Sequence, residues 1–318
     1  MKKIVTIGGG TGHFTMLKAL TDINDIAITA VVSVADNGGS SGVLRDEFGV
    51  LPPGDVLQAL LALSRNPQSE VLREFLRVRP SAAGGKHNGG NLLMAMMEQY
   101  FGSPITAYEA MGEMLGLNFH DKVVPATVGH ITLRAEMEDG CVVVGETNID
   151  VPKCGNSHKK IKKLWLEPNG LAYGGALEAI AAADFIIMGP GDLYTSIIPV
   201  ILVRGLKDAI KQSQAKKIFI AGTMNKNETR GFKLSDHVGE LEKYLENGLD
   251  YALANTADLE KEILENYAKE EKYPVEIDLG PEDSNGRKII TVPLISKEGG
   301  LARHDSELLK KIISDIIK

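Results

Sequence analysis

Four glycine-rich segments carry the polar groups of this chain that could do chemistry. The first is Gly8-Gly9-Gly10-Thr11-Gly12, which opens a stretch with helical spacing. Glycines there leave backbone N–H groups bare against a phosphate, and the positive end of the following helix dipole faces the same anion. Gly9, Gly10 and Gly12 are therefore ligand candidates, and Thr11 adds a hydroxyl. A tight strand-to-helix turn would call for the same glycines.

The second segment starts at Asp36, after an apolar run, and continues through Asn37, Gly38, Gly39, Ser40, Ser41 and Gly42. Asp36 suits a ribose hydroxyl, and it equally suits capping the turn that follows. Gly38, Gly39, Ser40 and Ser41 supply N–H groups and hydroxyls that either form an anion nest or satisfy one another. Arg45 offers a guanidinium fork to a phosphate, or a surface ion pair. Asp55, behind Leu51-Pro52-Pro53-Gly54, reads as the N-cap of the next helix or as a site residue.

The third segment, Ser81 to Gly90, holds His87 and Asn88 in a loop too polar for the core, with Asn91 just beyond it. The fourth, Gly189-Pro190-Gly191-Asp192 followed by Thr195 and Ser196, repeats the strand, glycine turn and hydroxyl of the first. Two anion-capable turns on one sheet suit a ligand with two charged groups, such as a diphosphate. Mg²⁺ accompanying that diphosphate is the cofactor such a ligand would bring.

Common nucleotide fingerprints do not fit. Counted from Gly8, the dinucleotide pattern requires glycine at its sixth position and meets His13, which disfavours an NAD-dependent enzyme. A Walker A loop needs Gly-Lys-Ser/Thr, and none follows. His13, His120, His130, His158, His237 and His304 show no ligand spacing and read as surface or satisfied histidines. No nucleophile, base and orienter set is readable.

Composition narrows the partners. The 318 residues carry 35 Lys plus Arg against 42 Asp plus Glu, a net charge of −7, so the basic excess that drives nucleic-acid binding is missing. No apolar run reaches the roughly 18 residues of a membrane span, and Met1-Lys2-Lys3 does not open a signal peptide. Cys141 and Cys154 cannot build a disulfide framework or a four-cysteine zinc site, which points to a reduced cytoplasm.

The loops need a frame. Lys3 to Ile7 reads as a buried strand, Phe14, Leu17 and Leu20 share one helix face, and Ile26 to Val34 is a second apolar run. A polar loop is expected from Asp36 to Asp55, then helices over Val56 to Leu63, Val71 to Leu76 and Asn91 to Tyr100. Alternation around Asp139-Gly140 predicts an antiparallel hairpin within a β-rich insertion near 122–167. Strands follow at Phe185 to Met188, Lys217 to Ala221 and Tyr251 to Ala254, and an amphipathic helix closes the chain after Asp305. The expectation is one α/β body over 1–318 with a mostly parallel sheet, whose ligand sits where the strand order reverses.

Taken in order, these residues resemble the gluconeogenesis factor family. This is the YvcK-like branch of a superfamily whose other branch is the 2-phospho-L-lactate transferases (CofD) of deazaflavin cofactor synthesis. The resemblance is carried by Gly8 to Gly12, Val34-Ala35-Asp36 with Gly38 to Gly42, and Leu51 to Asp55. It continues in Glu136 to Gly140, Gly189-Pro190-Gly191 with Leu193 to Ser196, Glu228-Thr229 with Gly231-Phe232, and Asp236-His237-Val238.

It implies a three-layer, Rossmann-like, CofD-like domain that binds a nucleotide sugar of the uridine diphosphate type, in carbon metabolism, cell shape and wall synthesis. The chain departs from the family pattern where Asn37 replaces a second Asp, Val43 an Arg and Asp192 a Ser, and near Leu57-Gln58-Ala59, where the family has Arg-Asn-Cys. Lys86-His87-Asn88-Gly89-Gly90-Asn91 stands for Gly-His-Ser-Phe-Gly-Asn.

The leading expectation is a non-enzymatic regulator in which residues 8–12 hold the diphosphate, Asp36 reads the ribose or base, and 86–91 with 189–196 close on the sugar. The rival is a transferase that passes a phospho-acyl group from a nucleoside diphosphate donor to an alcohol, with Asp36 or Asp55 binding Mg²⁺ or activating the acceptor. A homo-oligomer is compatible with either.

Overall fold

The computed structural model describes residues 1–65, 70–79, 85–151, 160–283, 286–296 and 300–318. Cys154, His158 and the start of the third glycine segment lie outside the described residues.

The first strand, β1 (Lys2–Gly8), explains the frame. Its side chains alternate between two apolar layers, Ile4 entering one and Val5 with Ile7 the other. A strand buried on both faces reads as a continuous apolar run, the mark of a parallel sheet covered on both sides. The same division holds in β2 (Ile26–Val32), where Ile28, Ala30 and Val32 face one layer and Val31 the other. β3 (Lys122–Pro125) pairs in parallel with β2 and ends that side of the sheet.

Next come the strands of the insertion, β4 (Thr132–Met137), β5 (Val142–Val144) and β6 (Ile161–Glu167). They form an antiparallel sheet of order β5-β4-β6, and the β4–β5 turn has Gly140 at φ 84°. The sequence stretch from residue 122 thus opens with a strand of the central sheet, and the antiparallel part begins at β4.

Beyond them lie β7 (Phe185–Met188), β8 (Lys216–Ile220), the short β9 (Met224–Asn225), β10 (Tyr251–Asn255), β11 (Tyr273–Pro274) and β12 (Lys288–Val292). The central sheet has seven parallel strands in the order β12-β10-β8-β7-β1-β2-β3.

The helices complete three layers. The first half contributes α1 (Gly10–Thr21), α2 (Gly39–Phe48), α3 (Pro53–Leu63), α4 (Glu70–Arg77), α5 (Gly89–Phe101), α6 (Pro104–Met114) and α7 (Glu146–Asp150). The second half contributes α8 (Gly174–Ala181), α9 (Ile198–Leu202), α10 (Leu206–Gln212), α11 (Leu234–Leu245), α12 (Lys261–Lys269) and α13 (Ser306–Ile316). Leu17 and Leu20 of α1, Leu60 of α3 and Ile313 of α13 pack with Ile4 on one face. Ile180 of α8, Ile210 of α10 and Leu241 of α11 pack with Val5 on the other, together with Leu133 and Leu164 of the small sheet.

One expectation is corrected here. The polar loop drawn from Asp36 to Asp55 contains α2, because Leu44 is fully buried against Val50 and Ala95. Its Gly-Ser-Ser-Gly start has poor helix propensity, and packing overrides that weak prior. No described helix is long and apolar enough to cross a membrane.

Candidate functional site

β1 lies between β2 and β7, so the chain turns one way after β1 and the other way from β7. This is the topological switch point, and the loops leaving the carboxyl ends of β1 and β7 meet there. They meet backbone to backbone. A Cβ on Gly12 would lie 2.5 Å from the Pro190 carbonyl oxygen, and one on Gly191 would lie 3.5 Å from the Gly9 carbonyl oxygen. Gly12 therefore serves close packing between two loops, while Gly10 is held at φ 67° with open space around it.

Asp55 occupies the start of α1. Its Oδ1 accepts the Gly10 N–H at 2.9 Å, and its Oδ2 fills the space where a Gly9 side chain would go. It does not cap its own helix, whose start is set by Pro52 and Pro53. Burial pushes the Asp55 carboxyl up to about 7, with Asp36 and Asp192 adding to the rise and the Gly10 N–H opposing it.

Asp36 closes its own turn and faces a cavity. Its Oδ1 accepts the Gly38 N–H at 2.7 Å, closing the turn, and the residue lines a cavity of about 660 Å³. Ser41 lines the same cavity and accepts the Gly54 N–H through its Oγ at 3.2 Å. Ser40 Oγ takes the Asn91 amide at 3.0 Å and pairs with His87 Nδ1 at 2.9 Å. Asn37 turns away to the insertion, where its Oδ1 accepts the Thr147 N–H at 3.0 Å.

The third segment is tied down by its own hydrogen bonds. Asn88 caps α5, its Oδ1 accepting the Asn91 N–H at 2.7 Å, yet it still lines the larger cavity with Asn91. His87 braces Ser40 and is not among the lining residues. Arg45 pairs with Asp46 at 2.9 Å and is not among the residues lining these two cavities.

The fourth segment lines a second cavity of about 340 Å³ through Gly191, Asp192 and Ser196. Gly189, at φ 80°, packs against the Ile220 carbonyl, and Thr195 is buried behind the loop. Asp192 is neutralised by a residue that sequence reasoning missed. Lys226 Nζ lies 2.5 Å from Asp192 Oδ2 and 3.1 Å from Asp150 Oδ1. Burial alone would lower the Lys226 ammonium, but those two carboxylates hold it above its ordinary value.

Around this pair the site is acidic. Burial pushes Glu228 up to about 8, helped by Asp192 and Asp150, and it pushes Glu146 to about 8, helped by Asp36. Among the described residues no three His, Cys, Asp or Glu side chains converge as a metal set. Mg²⁺ arriving with a diphosphate would take most of its ligands from phosphate and water.

The two cavities adjoin at Thr11, Thr15 and Arg303, which line both, on either side of the α1 N-terminus. Asp36 and Asn88 therefore share one chamber, and the 189–196 turn faces the other. Arg303 and His304 come from the far end of the chain, and Arg77 and Arg79 from beyond α3. No local pattern marks them, since only the fold brings them to the cleft. His13, in contrast, is a core histidine, bonded to Thr6 Oγ1 at 2.8 Å and lowered to about 4 by burial.

Comparison with known proteins agrees with this architecture. The family described as 2-phospho-L-lactate transferase CofD matches residues 4–295. A Thermotoga maritima relative is 43 % identical over 319 residues, covering 99 % of each chain. The gluconeogenesis factor of Bacillus subtilis is 36 % identical over 320 residues, covering 99 % of this chain and 98 % of its own. A crystal structure of a Bacillus halodurans protein superposes with a TM-score of 0.91 at 36 % identity, over 98 % of this chain and 99 % of that one.

Proposed function

The chain belongs to the CofD family, and from that premise we propose that it is a cytoplasmic nucleotide-sugar-binding regulator of the gluconeogenesis factor type. Its ligand in this reading is a uridine diphosphate sugar, and its role is in carbon metabolism, cell shape and wall synthesis. One observation carries the reading. Two adjoining cavities flank the N-terminus of α1 at the switch point, which suits a ligand with a diphosphate in the middle and a polar group at each end. Thr11 and Arg303, common to both cavities, stand where that diphosphate would lie.

A second reading draws on Asp55, whose carboxyl titrates near neutrality as a general base does. In a transferase an acceptor alcohol would form the new P–O bond, the diphosphate bridge would break, a nucleoside monophosphate would leave, and the proton would pass to Asp55. The two readings separate in one assay. The protein is warmed with a uridine diphosphate sugar, with and without Mg²⁺ and an alcohol acceptor, while melting temperature and ligand integrity are followed. A regulator shows a raised melting temperature and intact ligand. Repeated turnover abolished by Asp55→Asn overturns it in favour of the transferase, and no shift with any nucleotide overturns both.

A further inference from the structure

Helix α4 is apolar on two sides. Leu72 and Leu76 pack inward on the layer that holds Ile4, while Val71, Phe75 and Val78, spaced by four and three, stand on a different face. Those three are 78 %, 63 % and 53 % exposed. A surface helix keeps one apolar stripe for the core, so the second stripe of α4 is left facing solvent.

Helix α5 continues that surface. Gly89, at its start, donates its N–H to the Val78 carbonyl at 3.0 Å, and a Cβ there would lie 3.7 Å from the Phe75 ring. Seven and eleven residues on, Met96 and Tyr100 stand on the same side as Gly89, with the partly buried Leu93 between. Met96 is 64 % exposed and Tyr100 84 %.

The extent of this face sets it apart from scattered surface hydrophobes. With whole aromatic side chains at about 150 to 250 Å², the exposed parts of Val71, Phe75, Val78, Met96 and Tyr100 come to roughly 700 Å². The largest apolar patch of a typical monomer is about 300 to 600 Å², whereas each partner in a stable complex gives up about 800 Å². Phe, Tyr and Met are also the residues that such interfaces gather at their centre.

The charge order of α4 selects the partner. Glu70 and Glu74 occupy its first half, and Arg77 with Arg79, just past its end, make the other end basic. A second α4 laid antiparallel across it sets each acidic start beside the other's basic end, and a two-fold axis normal to the helix produces that arrangement.

We propose that two copies of this chain associate through the α4–α5 face about a two-fold axis. The same two helices and the residues that flank them bring Arg77, Arg79, Asn88 and Asn91 to the larger cavity, so the joint lies behind one wall of the candidate site. The association does not depend on what that cavity binds.

Sedimentation of the purified full chain over a range of concentrations tests this. A species of twice the 34.3 kDa chain is expected at tens of micromolar. Phe75→Glu combined with Tyr100→Glu alters two exposed side chains at the centre of the face, and should weaken self-association at least about a hundredfold. Val142→Glu, on the exposed β5 of the insertion, should sediment as the wild type does. Hydrogen exchange of the wild-type chain at low and high concentration gives a check that needs no variant, because protection should rise over α4 and α5 as the mass doubles. A monomeric wild type at about 100 μM overturns the proposal. So does a dimer that survives the double substitution, one that Val142→Glu also dissociates, or one whose formation leaves α4 and α5 exchanging as before.

Discussion

Asp55 and Gly10 stand 45 residues apart in the chain, yet Asp55 Oδ1 accepts the Gly10 N–H at 2.9 Å. The anion-seeking end of α1 is thus already engaged by a carboxyl of the protein. Asp55 has a folded pKa of about 7 against an ordinary 3.8, so the folded state holds its proton more tightly than the unfolded chain. Its stability contribution is complete below pH 3.8 and is lost as pH rises through about 7. Asp55→Asn, which keeps the accepting oxygen, should melt with the wild type near pH 4 and above it at pH 8 to 9. A difference independent of pH, followed by thermal melts, would mean that the carboxyl is not buried as described.

The same chemistry predicts proton uptake on binding. A diphosphate beside Asp55 and Glu228, which titrate at about 7 and about 8, disfavours their charged forms and raises both pKa values further. Calorimetry of a uridine diphosphate sugar at about pH 7.5, in buffers of different ionisation enthalpy, should show protons taken up. Affinity should fall as pH rises from 7 to 9. Proton release would contradict the placement of the diphosphate.

Gly12 and Gly10 should respond differently to alanine. At Gly12 a Cβ meets a carbonyl oxygen at 2.5 Å, so the β1 and β7 loops must part, at a cost of roughly 1 to 3 kcal/mol. At Gly10 the surroundings are open and only the positive φ resists, at about 1 to 2 kcal/mol. The distinguishing measurement is ligand affinity in the folded variants: Gly12→Ala should lose it, and Gly10→Ala should retain more. The reverse order would make Gly10 the closer contact.

Lys226 compensates Asp192 and Asp150. Lys226→Met leaves both carboxylates without their cation in a partly buried setting, so destabilisation of roughly 1 to 3 kcal/mol is expected by urea denaturation at pH 8. The loss should be smaller at pH 5 than at pH 8, since burial raises the Asp192 carboxyl and acid favours its neutral form, which needs no cation. A loss of the same size at both values would assign Lys226 a packing role instead.

Asn88→Ala removes the cap of α5 and should cost about 1 kcal/mol of stability before any ligand is added. Asn88→Asp or Asn88→Ser, which keep an accepting oxygen, should recover most of it. Denaturation of the unliganded protein decides between a capping and a purely ligand-facing role.

The glycine turns after β1 and β7 were legible because a continuous apolar run ending in glycines has few other meanings, and so was the hairpin at Asp139-Gly140. Asp55 was ambiguous for a geometric reason. A carboxyl in the first turn of a helix looks the same in sequence whether it faces its own N–H groups or those of α1. The start of α2 was hidden by Gly and Ser, whose local preference runs against the helix that Leu44 anchors. Lys226, Arg303 and His304 could not be found from spacing, since strand order alone brings residues after β8 and β12 beside residues after β1.

That strand order also dictates a sequence of assembly. β1 is first in chain order but is the third strand from the β3 edge, between β2 and β7, and its β7 neighbour lies some 180 residues on, at Ile4 to Phe185. Until β7 is made and docked, one edge of β1 has no partner and the apolar faces around it are only half covered. Contacts of such long sequence separation form slowly, because loop closure comes before any gain from pairing. A ligand seated in the cavities that these two loops line would therefore bind only chains that have finished this closure.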